Sequence, residues 1–528
     1  MEEADIVVIG AGSGGSAAAG RLSEDGKYSV AVLEAGGRNT SIKTLMPGMM
    51  PFQPEATNWR FETVPQKGLN GRRGYQPRGR GLGGSSAINA MLYLRGHPQD
   101  YDEWRDLGCE GWGWNEVLPV FKRAEHNVRG ADAWHGDAGP LWVSDQDYAH
   151  AGGHAFVEAG AALQMPVNPD FNGARQDGVG IYQVTQRNGE RWTAARAYLG
   201  EAGKRENLSV ITDALVERVL FEDGRVWGVA YQQDGQAKVI RAKRAVVMAG
   251  GAFQTPQLLM LSGIGPAEHL KEMGIAVKVD RPAVGEGLQD HIDYVAAFET
   301  KGSLFLGQSL AGTFKSLGNI IRWLATRKGP MTTPYAEAGG FLATDPASDV
   351  PDIQFHFVVA IVEDHGRTSV KGHGYSCHAC VLRPESRGTV RLQSLDPGAP
   401  PLIDPNFLGD QRDVETLKRG VRAMYRILET PPMTGFKGKD RYPIDLNDDD
   451  ALERLLRARS DTVYHPVGTC RMGSDAEAVC DPRLRVRGVE GLYIADASIM
   501  PRLVGGNTNA PSVMIGERCA DFVRADLG

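Results

Sequence analysis

Short apolar runs separated by glycine-rich turns dominate the pattern at the start of the chain. Residues 5–9 predict a buried strand, the alanine-rich residues 16–22 predict a helix, and residues 29–33 predict a second strand that ends at the acid Glu34. This order of elements is typical of a βαβ unit with two parallel strands.

The same apolar pattern returns much later in the chain. Strands are predicted at 208–212, 245–249 and 492–495, with a hairpin of 216–221 and 226–231 around the turn at Asp223 and Gly224. Strands separated by long insertions predict a single parallel sheet assembled from distant segments.

The long insertion at 301–456 has a different pattern. Alternating strands are predicted at 353–358, 377–382 and 388–392, followed by an amphipathic helix at 413–428. We therefore predict an α/β Rossmann-like nucleotide-binding domain formed by 1–155, 195–300 and 457–528. An α+β substrate-binding cap with an antiparallel sheet is predicted for 156–194 and 301–456.

Composition narrows the class of protein. The 528 residues are 42% hydrophobic and 23% charged, which is typical of a soluble globular protein with more than one domain. The formal net charge of -7 leaves no basic surface for nucleic acid, so no nucleic-acid partner is expected.

Cysteine usage and the first residues bear on the compartment. Six scattered cysteines do not form a disulfide framework and fit a reducing cytosol. Cys377 and Cys380 form a single CxxC inside a predicted strand, so we expect buried thiols and no metal site. The acids Glu2 and Glu3 lead directly into the first strand without a basic leader, and a cytoplasmic protein is expected.

One segment raises the question of membrane contact. No run of 18 apolar residues occurs, and the mildly apolar stretch 304–324 is interrupted by Lys315 and Arg322. We expect a lid or a mobile helix over a pocket, in preference to a surface contact with a membrane.

The glycines after the first strand have the spacing of a dinucleotide-binding turn. Gly10 permits the tight turn, Gly12 lets the backbone approach a pyrophosphate, and Gly15 lets the helix pack close to the strand. The helix N-terminus favours phosphate, and Glu34 suits ribose hydroxyls. An acid at this position argues against the 2′-phosphate of NADP.

Four further segments carry a family resemblance. They are the glycine-rich residues 78–90, the strand-to-helix residues 251–265, residues 464–473 around His465, and residues 496–501 with 506–511. Together with the N-terminal turn they resemble the glucose–methanol–choline (GMC) oxidoreductases, over essentially the whole chain. The resemblance implies FAD, a two-domain fold and oxidation of an alcohol.

Within that family the chain looks most like the bacterial alcohol dehydrogenase and choline dehydrogenase branch. Residues 70–72 and 93–96, with Asp100 and Tyr101, are similar to stretches found there. Sugar and polyol dehydrogenases share these stretches, so the substrate stays open. We favour a primary aliphatic or aromatic alcohol over choline.

The resemblance also implies which residues contact FAD. The expected contacts are Gly10, Gly12, Ser13, Gly14, Gly15, Glu34, Ala35, Arg80, Gly83, Gly84, Ser85, Asn89, Ala90, Val216, Ala249, Gly250, Asp496, Ala497, Asn507 and Asn509. Some family members attach FAD covalently through a His immediately before the residue equivalent to Asn89. Ile88 stands there, so non-covalent FAD is expected.

Alcohol oxidation needs a base for the hydroxyl proton and a donor for the developing alkoxide, while hydride passes to flavin N5. A neutral imidazole and a side-chain amide suit these tasks, and His465 and Asn509 lie where the family places its catalytic pair. The alternative for Asn509 is a helix N-cap, for which Asn507 is also available. His291 is expected to be structural and to bond near the flavin.

Several alternatives remain open at this point. Choline would need an aromatic cage with a carboxylate, for which Tyr335, Glu337, Phe341, Trp59 and Phe61 are candidates by residue type. An FAD-containing lyase, a non-catalytic flavin protein and an NAD-dependent enzyme are less favoured.

The electron acceptor and the assembly stay open as well. The acceptor is a quinone, a dye or O₂, and Val463 is a candidate for controlling access of oxygen. A dehydrogenase is favoured over an oxidase, and a monomer or homodimer is expected.

Overall fold

The structure is a computed structural model that describes residues 2–200, 204–436 and 438–528. The strands of this part of the chain are β1 (Glu2–Ile9), β2 (Val30–Leu33), β3 (Phe61–Glu62), β4 (Tyr75–Gln76), β5 (Glu125–Asn127), β6 (Leu141–Val143), β7 (Gly178–Ile181), β8 (Gln186–Arg187), β9 (Glu190–Arg191), β10 (Leu208–Ile211), β11 (Ala214–Glu222), β12 (Arg225–Gln233), β13 (Gln236–Met248), β14 (Ile264–Gly265), β15 (Val279–Asp280), β16 (Glu286–Leu288), β17 (Ile292–Thr300), β18 (Gly307–Gln308), β19 (Ala336–Leu342), β20 (Ile353–Val358), β21 (Gly372–Val381), β22 (Gly388–Arg391), β23 (Leu402–Asp404), β24 (Lys439–Asp440), β25 (Asp461–Thr462) and β26 (Leu492–Ile494).

Twelve α-helices accompany these strands in the described part of the chain. They are α1 (Ser13–Leu22), α2 (Ile42–Leu45), α3 (Pro98–Asp106), α4 (Trp114–Ala124), α5 (Ala151–Ala162), α6 (Ala194–Tyr198), α7 (Gly251–Leu261), α8 (Ala267–Glu272), α9 (Leu310–Thr326), α10 (Gln411–Leu428), α11 (Asp449–Arg459) and α12 (Asn509–Leu527). Short 3-10 turns include Pro47–Phe52, Gly84–Ala87 and Pro330–Thr332.

The first large sheet is the nucleotide-binding sheet, with the strand order β10-β2-β1-β13-β12-β11. Strands β10, β2, β1 and β13 are mutually parallel, and β26 adds to β13 in parallel as well. Apolar side chains on both faces of β1 and β2 are buried, which explains their nearly continuous hydrophobic sequences. The predicted assembly from distant segments is confirmed.

The prediction of an all-parallel sheet is wrong in one respect. The hairpin β11–β12 joins the same sheet, and β12 pairs with β13 in the antiparallel sense. This is possible because β13 is 13 residues long. Its first half pairs with β12, and its last residues pair with β26.

The second large sheet forms the cap and is antiparallel, as predicted. Its strand order is β24-β17-β21-β20-β19-β7, with β18 beside β21 and β25 beside β17. Helix α10 covers it through apolar residues that include Val414, Leu417 and Val421. The Rossmann-like domain with an α+β cap is therefore the observed fold.

Two strands differ from the predicted arrangement of the domains. β17 lies in the cap sheet, although 292–300 falls in a range predicted for the nucleotide-binding domain. β22 pairs with β16 and β23 in a separate three-stranded sheet and not with the cap sheet. The partners β21 of β17 and β16 of β22 lie about 80 to 100 residues away, and the local pattern carries no information about them.

Helices α1 and α12 pack against each other behind the glycine-rich turn. A Cβ atom at Gly14 would lie 1.9 Å from the Ala495 carbonyl oxygen, and one at Gly516 would lie 2.2 Å from the Gly14 oxygen. Only glycine allows this close approach, and α12 is thereby packed directly against the glycine-rich turn.

Helix α9 occupies the predicted lid segment and lines the main cavity of the molecule. In the described part of the chain, every helix is too short or too polar to cross a bilayer. The CxxC pair lies in β21 as predicted, and both thiols are buried and free.

Candidate active site

A deep cavity connects the glycine-rich turn after β1 to His465. Its volume is about 1210 Å³, and both large sheets contribute to its walls. Such a cavity at the carboxyl ends of parallel strands is the usual ligand position in an open α/β sheet. The cavity is therefore the candidate active site.

Two glycines shape the turn in the way that a dinucleotide requires. Gly10 has φ +96°, and a Cβ there would lie 2.5 Å from the Ala249 carbonyl oxygen. A Cβ at Gly12 would lie 4.0 Å from the same oxygen, its nearest neighbour, so the backbone here faces open space in the cavity. The first glycine makes the turn, and the second leaves room for a ligand.

Glu34 holds three backbone segments together at the end of β2. Its Oε2 accepts from the Ala11 N–H at 2.9 Å, and its Oε1 accepts from Gly36 and Gly81 at 2.9 and 2.8 Å. The side chain lines the cavity, and the carboxylate retains lone-pair capacity for a ribose hydroxyl. The sequence did not reveal this second, structural task.

Most of the residues predicted to contact the cofactor line this cavity. They are Gly10, Gly12, Ser13, Gly14, Glu34, Ala35, Gly84, Ser85, Asn89, Ala90, Val216, Ala249, Gly250, Asp496, Ala497, Asn507 and Asn509.

Three predicted contact residues do not line the cavity. Gly15 faces the Gly10 carbonyl, where a Cβ would approach to 2.0 Å, so it serves helix packing. Gly83 donates its N–H to the Ala11 carbonyl and packs on Thr193. Arg80 lies over the ring of Trp59, 4.9 Å from its centroid.

Asp496 joins the end of β26 to the start of α7. Its Oδ2 accepts from the Gly251 N–H and the Thr255 hydroxyl at 2.9 and 2.6 Å, and its Oδ1 accepts from the Ser498 N–H. Burial raises the pKa of this carboxyl above its ordinary value.

A buried arginine supports the glycine-rich loop beside the cavity. Arg191 donates to the Asn89 backbone oxygen at 2.6 Å and to Asn89 Oδ1 at 2.9 Å. It also donates to the Ser86 carbonyl at 3.2 Å, and burial lowers its pKa to about 9. No local sequence pattern indicates this support, because Arg191 lies about a hundred residues after the loop.

His465 has a defined tautomer because of its neighbours. The Nε2 of His291 lies 3.0 Å from the Leu382 carbonyl oxygen, which only accepts, so this nitrogen carries a proton. A neutral His291 then presents an unprotonated Nδ1 to His465 Nδ1 at 2.9 Å. His465 must donate from Nδ1, and its Nε2 is left unprotonated, with a lone pair that can accept a hydrogen bond or a proton.

Burial keeps both imidazoles neutral. It lowers the pKa of His291 to about 3 and lowers the pKa of His465 well below its ordinary value. The neighbouring His291, His356 and Arg78 act on His465 in the same direction. The Nε2 of His465 is therefore a base that remains unprotonated at neutral pH.

The amide beside His465 belongs to Asn507 and not to Asn509. Asn507 Nδ2 lies 3.2 Å from His465 Nε2, and its Oδ1 accepts from Gln354 Nε2 at 3.0 Å. Asn509 is the first residue of α12, and its Oδ1 accepts from the Ser13 hydroxyl at 2.7 Å. The structure thus places Asn507, and not the expected Asn509, beside His465.

The capping alternative also fails for both asparagines. The N-cap residue of α12 is Thr508, and no side chain of the described residues caps this helix. The helix N-terminus is instead linked to α1 through the Asn509–Ser13 hydrogen bond.

The backbone around His465 is held from two sides. Tyr464 has φ +74°, a left-handed conformation that is uncommon outside glycine. Asp290 Oδ1 accepts from the His465 N–H at 2.8 Å, and its Oδ2 accepts from the Thr462 hydroxyl at 2.6 Å. Burial raises the pKa of Asp290 to about 6.

A third histidine faces the cavity from the cap sheet. His356 lies in β20 and is buried, and neither ring nitrogen has a hydrogen-bond partner among the described residues. Burial lowers its pKa to about 3. Sequence analysis placed this residue in a strand and missed its position beside the site.

The candidate choline cage is only partly at the cavity. Trp59 and Tyr335 line it, whereas Phe61, Phe341 and Glu337 do not. Glu337 accepts from the His150 N–H and the Thr333 hydroxyl, and burial raises its pKa to about 7. The predicted carboxylate is thus satisfied within the cap.

Together, these features fit a bound dinucleotide flavin. The glycine turn leaves space for a pyrophosphate, Glu34 faces the cavity at the end of β2, and the far end of the cavity holds a neutral base and an amide. The arrangement defines a class of site: a neutral histidine and an amide in a cavity shaped for a dinucleotide.

Family models place the chain more closely. The N-terminal GMC oxidoreductase model matches residues 4–293, and the C-terminal model matches residues 384–516. The chain belongs to the GMC oxidoreductase family, which confirms the resemblance seen in the sequence.

Individual relatives and structures agree with this placement. The alcohol dehydrogenase [acceptor] of Pseudomonas putida is 43% identical over 98% of this chain and 95% of its own length. An oxygen-dependent choline dehydrogenase of Rhizobium rhizogenes is 41% identical over 99% of this chain and 95% of its own length. The crystal structure of pyridoxine 4-oxidase from Mesorbium loti has a TM-score of 0.89 at 33% identity and covers 98% of both chains.

Proposed function

We propose that this protein is an FAD-dependent oxidoreductase that converts a primary alcohol to the aldehyde. One observation carries the proposal: the unprotonated Nε2 of His465 and the amide nitrogen Nδ2 of Asn507 lie 3.2 Å apart at the cavity. The similarity to an alcohol dehydrogenase [acceptor] over the whole chain supports the same substrate class.

The cavity walls suggest how FAD is held. Gly12 and the N-terminus of α1 would hold the pyrophosphate, Glu34 would hold the ribose, and Asn89 and Ala90 line the same cavity as His465. Bound FAD supplies the acceptor for the two electrons and the carbon-bound hydrogen of the alcohol. Ile88 lines the cavity where a flavinylating histidine would be needed, so we propose non-covalent binding.

The protein's own task is to manage the hydroxyl proton. An alcohol oxygen that accepts from Asn507 Nδ2 lies within reach of His465 Nε2, because the two nitrogens are neighbours. His465 Nε2 takes the proton, and the Nδ1–H bond to His291 holds the ring in the required tautomer. The Asn507 amide stabilises the developing negative charge without titrating.

The cavity favours an uncharged alcohol over choline. Glu337 is bonded inside the cap and does not line the cavity, so it cannot face a trimethylammonium group. A dehydrogenase that uses a quinone or a dye remains our proposal for the acceptor. Val463 lines the cavity and is the residue to vary when oxygen reactivity is compared.

The test is anaerobic mixing of the holoenzyme with alcohols while the flavin absorbance is followed. The His465→Ala variant is expected to retain FAD and to reduce it ~10²-fold or more slowly. The matched control is His126→Ala, which removes an imidazole that stacks on Trp142 away from the cavity. Flavin reduction by His465→Ala at the wild-type rate would reject His465 as the base, and turnover with permanently oxidised flavin would indicate a lyase.

A further inference from the structure

The outer face of α9 is apolar and exposed to solvent. Leu310, Phe314, Leu317, Ile321 and Leu324 follow one another at intervals of four, three, four and three residues, so they share one face of the helix. Leu310 is 83% exposed and Phe314 is 75% exposed, and the other three are about half exposed. A contiguous apolar stripe of this kind marks an interaction surface.

The polar face of the same helix points inward. Thr313, Ser316 and Asn319 line the active-site cavity, so the usual arrangement of a surface helix is reversed. Trp323 fixes this orientation, because it is buried against Met46 and Met331 and donates its indole N–H to the Gly189 carbonyl at 2.8 Å.

The charged side chains of α9 and of its flanking residues in the sequence are all positive. Residues 300–336 contain five cations, Lys301, Lys315, Arg322, Arg327 and Lys328, and no Asp or Glu, although the whole chain carries a formal charge of -7. Arg327 pairs with Glu190. Among the described residues, the other four cations form no ion pair with a carboxylate.

We propose that α9 docks this protein on the surface of an anionic lipid bilayer. The apolar stripe enters the boundary between headgroups and acyl chains, and the cations Lys315 and Arg322 on the same helix meet the anionic headgroups. A second copy of the chain fits this face less well, because a two-fold contact would bring the same cations together.

Docking would place the entrance of the cavity next to the membrane. Leu306, Ser316 and Ile320 belong to the α9 region and line the cavity, and the exposed Phe52 lines it as well. A lipid-soluble alcohol or electron acceptor would then reach the cavity directly from the bilayer. This inference rests on the exposed helix face and does not depend on the proposed reaction.

The experiment is flotation of the full-length holoenzyme with vesicles of phosphatidylcholine alone and with an added fraction of phosphatidylglycerol. The wild type is expected to float with the anionic vesicles and to be partly released by salt. Phe314→Ser with Leu317→Ser is expected to lower the bound fraction at least ~10-fold. Lys315→Glu with Arg322→Glu is expected to remove the preference for anionic lipid.

Leu395→Ser is the matched control, because Leu395 is 57% exposed on a different part of the surface. The flavin spectrum and the melting temperature of each variant show that it is folded. Failure of the wild type to float, or equal flotation of the Phe314/Leu317 variant and the control, would overturn the proposal. Loss of a dimer in the same variant, without vesicle binding by the wild type, would identify this face as a contact between copies.

Discussion

Replacement of His291 by phenylalanine tests the tautomer of His465. The change removes the acceptor of the His465 Nδ1–H, which lies in a buried site 2.9 Å from His291 Nδ1. Leaving a buried donor without a partner costs about 1–3 kcal/mol. At about 1.4 kcal/mol per tenfold change, the tautomer with a free Nε2 becomes about 5- to 150-fold less favoured.

The expected result is a loss of kcat/KM for the alcohol of about 5- to 150-fold, with FAD retained. This loss lies at or below the lower end of the ~10²–10⁴-fold range expected from removing the base itself. The assay is anaerobic flavin reduction measured across a range of pH, since a shift of the acid limb reports on His465 rather than on packing.

His291→Asn is the matched variant for this prediction. Its side-chain oxygen stands at the level of the accepting Nδ1 and can take the hydrogen bond from His465. Activity should be largely restored. Equal losses in the asparagine and phenylalanine variants, or no loss in either, would refute the argument from hydrogen bonding.

Three further changes are informative. Asn507→Ala should slow flavin reduction by raising its activation barrier by about 2.7–4 kcal/mol. Asn509→Ala should instead mainly weaken FAD binding. Equal losses of turnover in the two variants would contradict this assignment. Gly84→Ala places a Cβ 2.8 Å from the Cα of Gly12 at a residue with φ +51°, and it should lower the ratio of flavin to protein absorbance. Gly26→Ala is the control, because φ is +73° there as well but no atom lies within 4 Å of the added Cβ. His356→Gln removes a buried imidazole with a pKa of about 3. Below pH ~6.5 the unfolding free energy of the variant should therefore fall less steeply than that of the wild type, by about 1.4 kcal/mol per pH unit. Urea titrations that give parallel pH curves for the two proteins would exclude this.

Local sequence patterns predicted the elements that are buried on both faces. The strand at 353–358 matches β20, and the predicted strand at 5–9 forms most of β1. Residues 5–9 are mostly apolar and residues 353–358 alternate between apolar and polar, and both patterns are typical of strands. The pairing of β12 with β13 and the position of β17 depend on distant partners, and the pattern could not supply them.

The site was predicted unevenly for a physical reason. The residues at the glycine turn and His465 lie in motifs whose local chemistry is informative. His291 contacts His465 although 174 positions separate them in the sequence. Asn507 and Asn509 are only two positions apart, and the path of the chain into α12 decides which side chain faces His465. The direction of the side chains at the start of α12 depends on how α12 packs against α1. The spacing of residues in the sequence does not reveal this packing.

The contact between α1 and α12 has a consequence for biosynthesis. Ser13 and Asn509 are hydrogen-bonded across 496 positions, and the turn that faces the pyrophosphate region is completed only when α12 is in place. A nascent chain therefore emerges from the ribosome with its opening βαβ unit long before that unit has its final neighbour. The glycine turn therefore gains its complete set of contacts only after α12 has been synthesised, and the long sequence separation of these contacts favours slow folding.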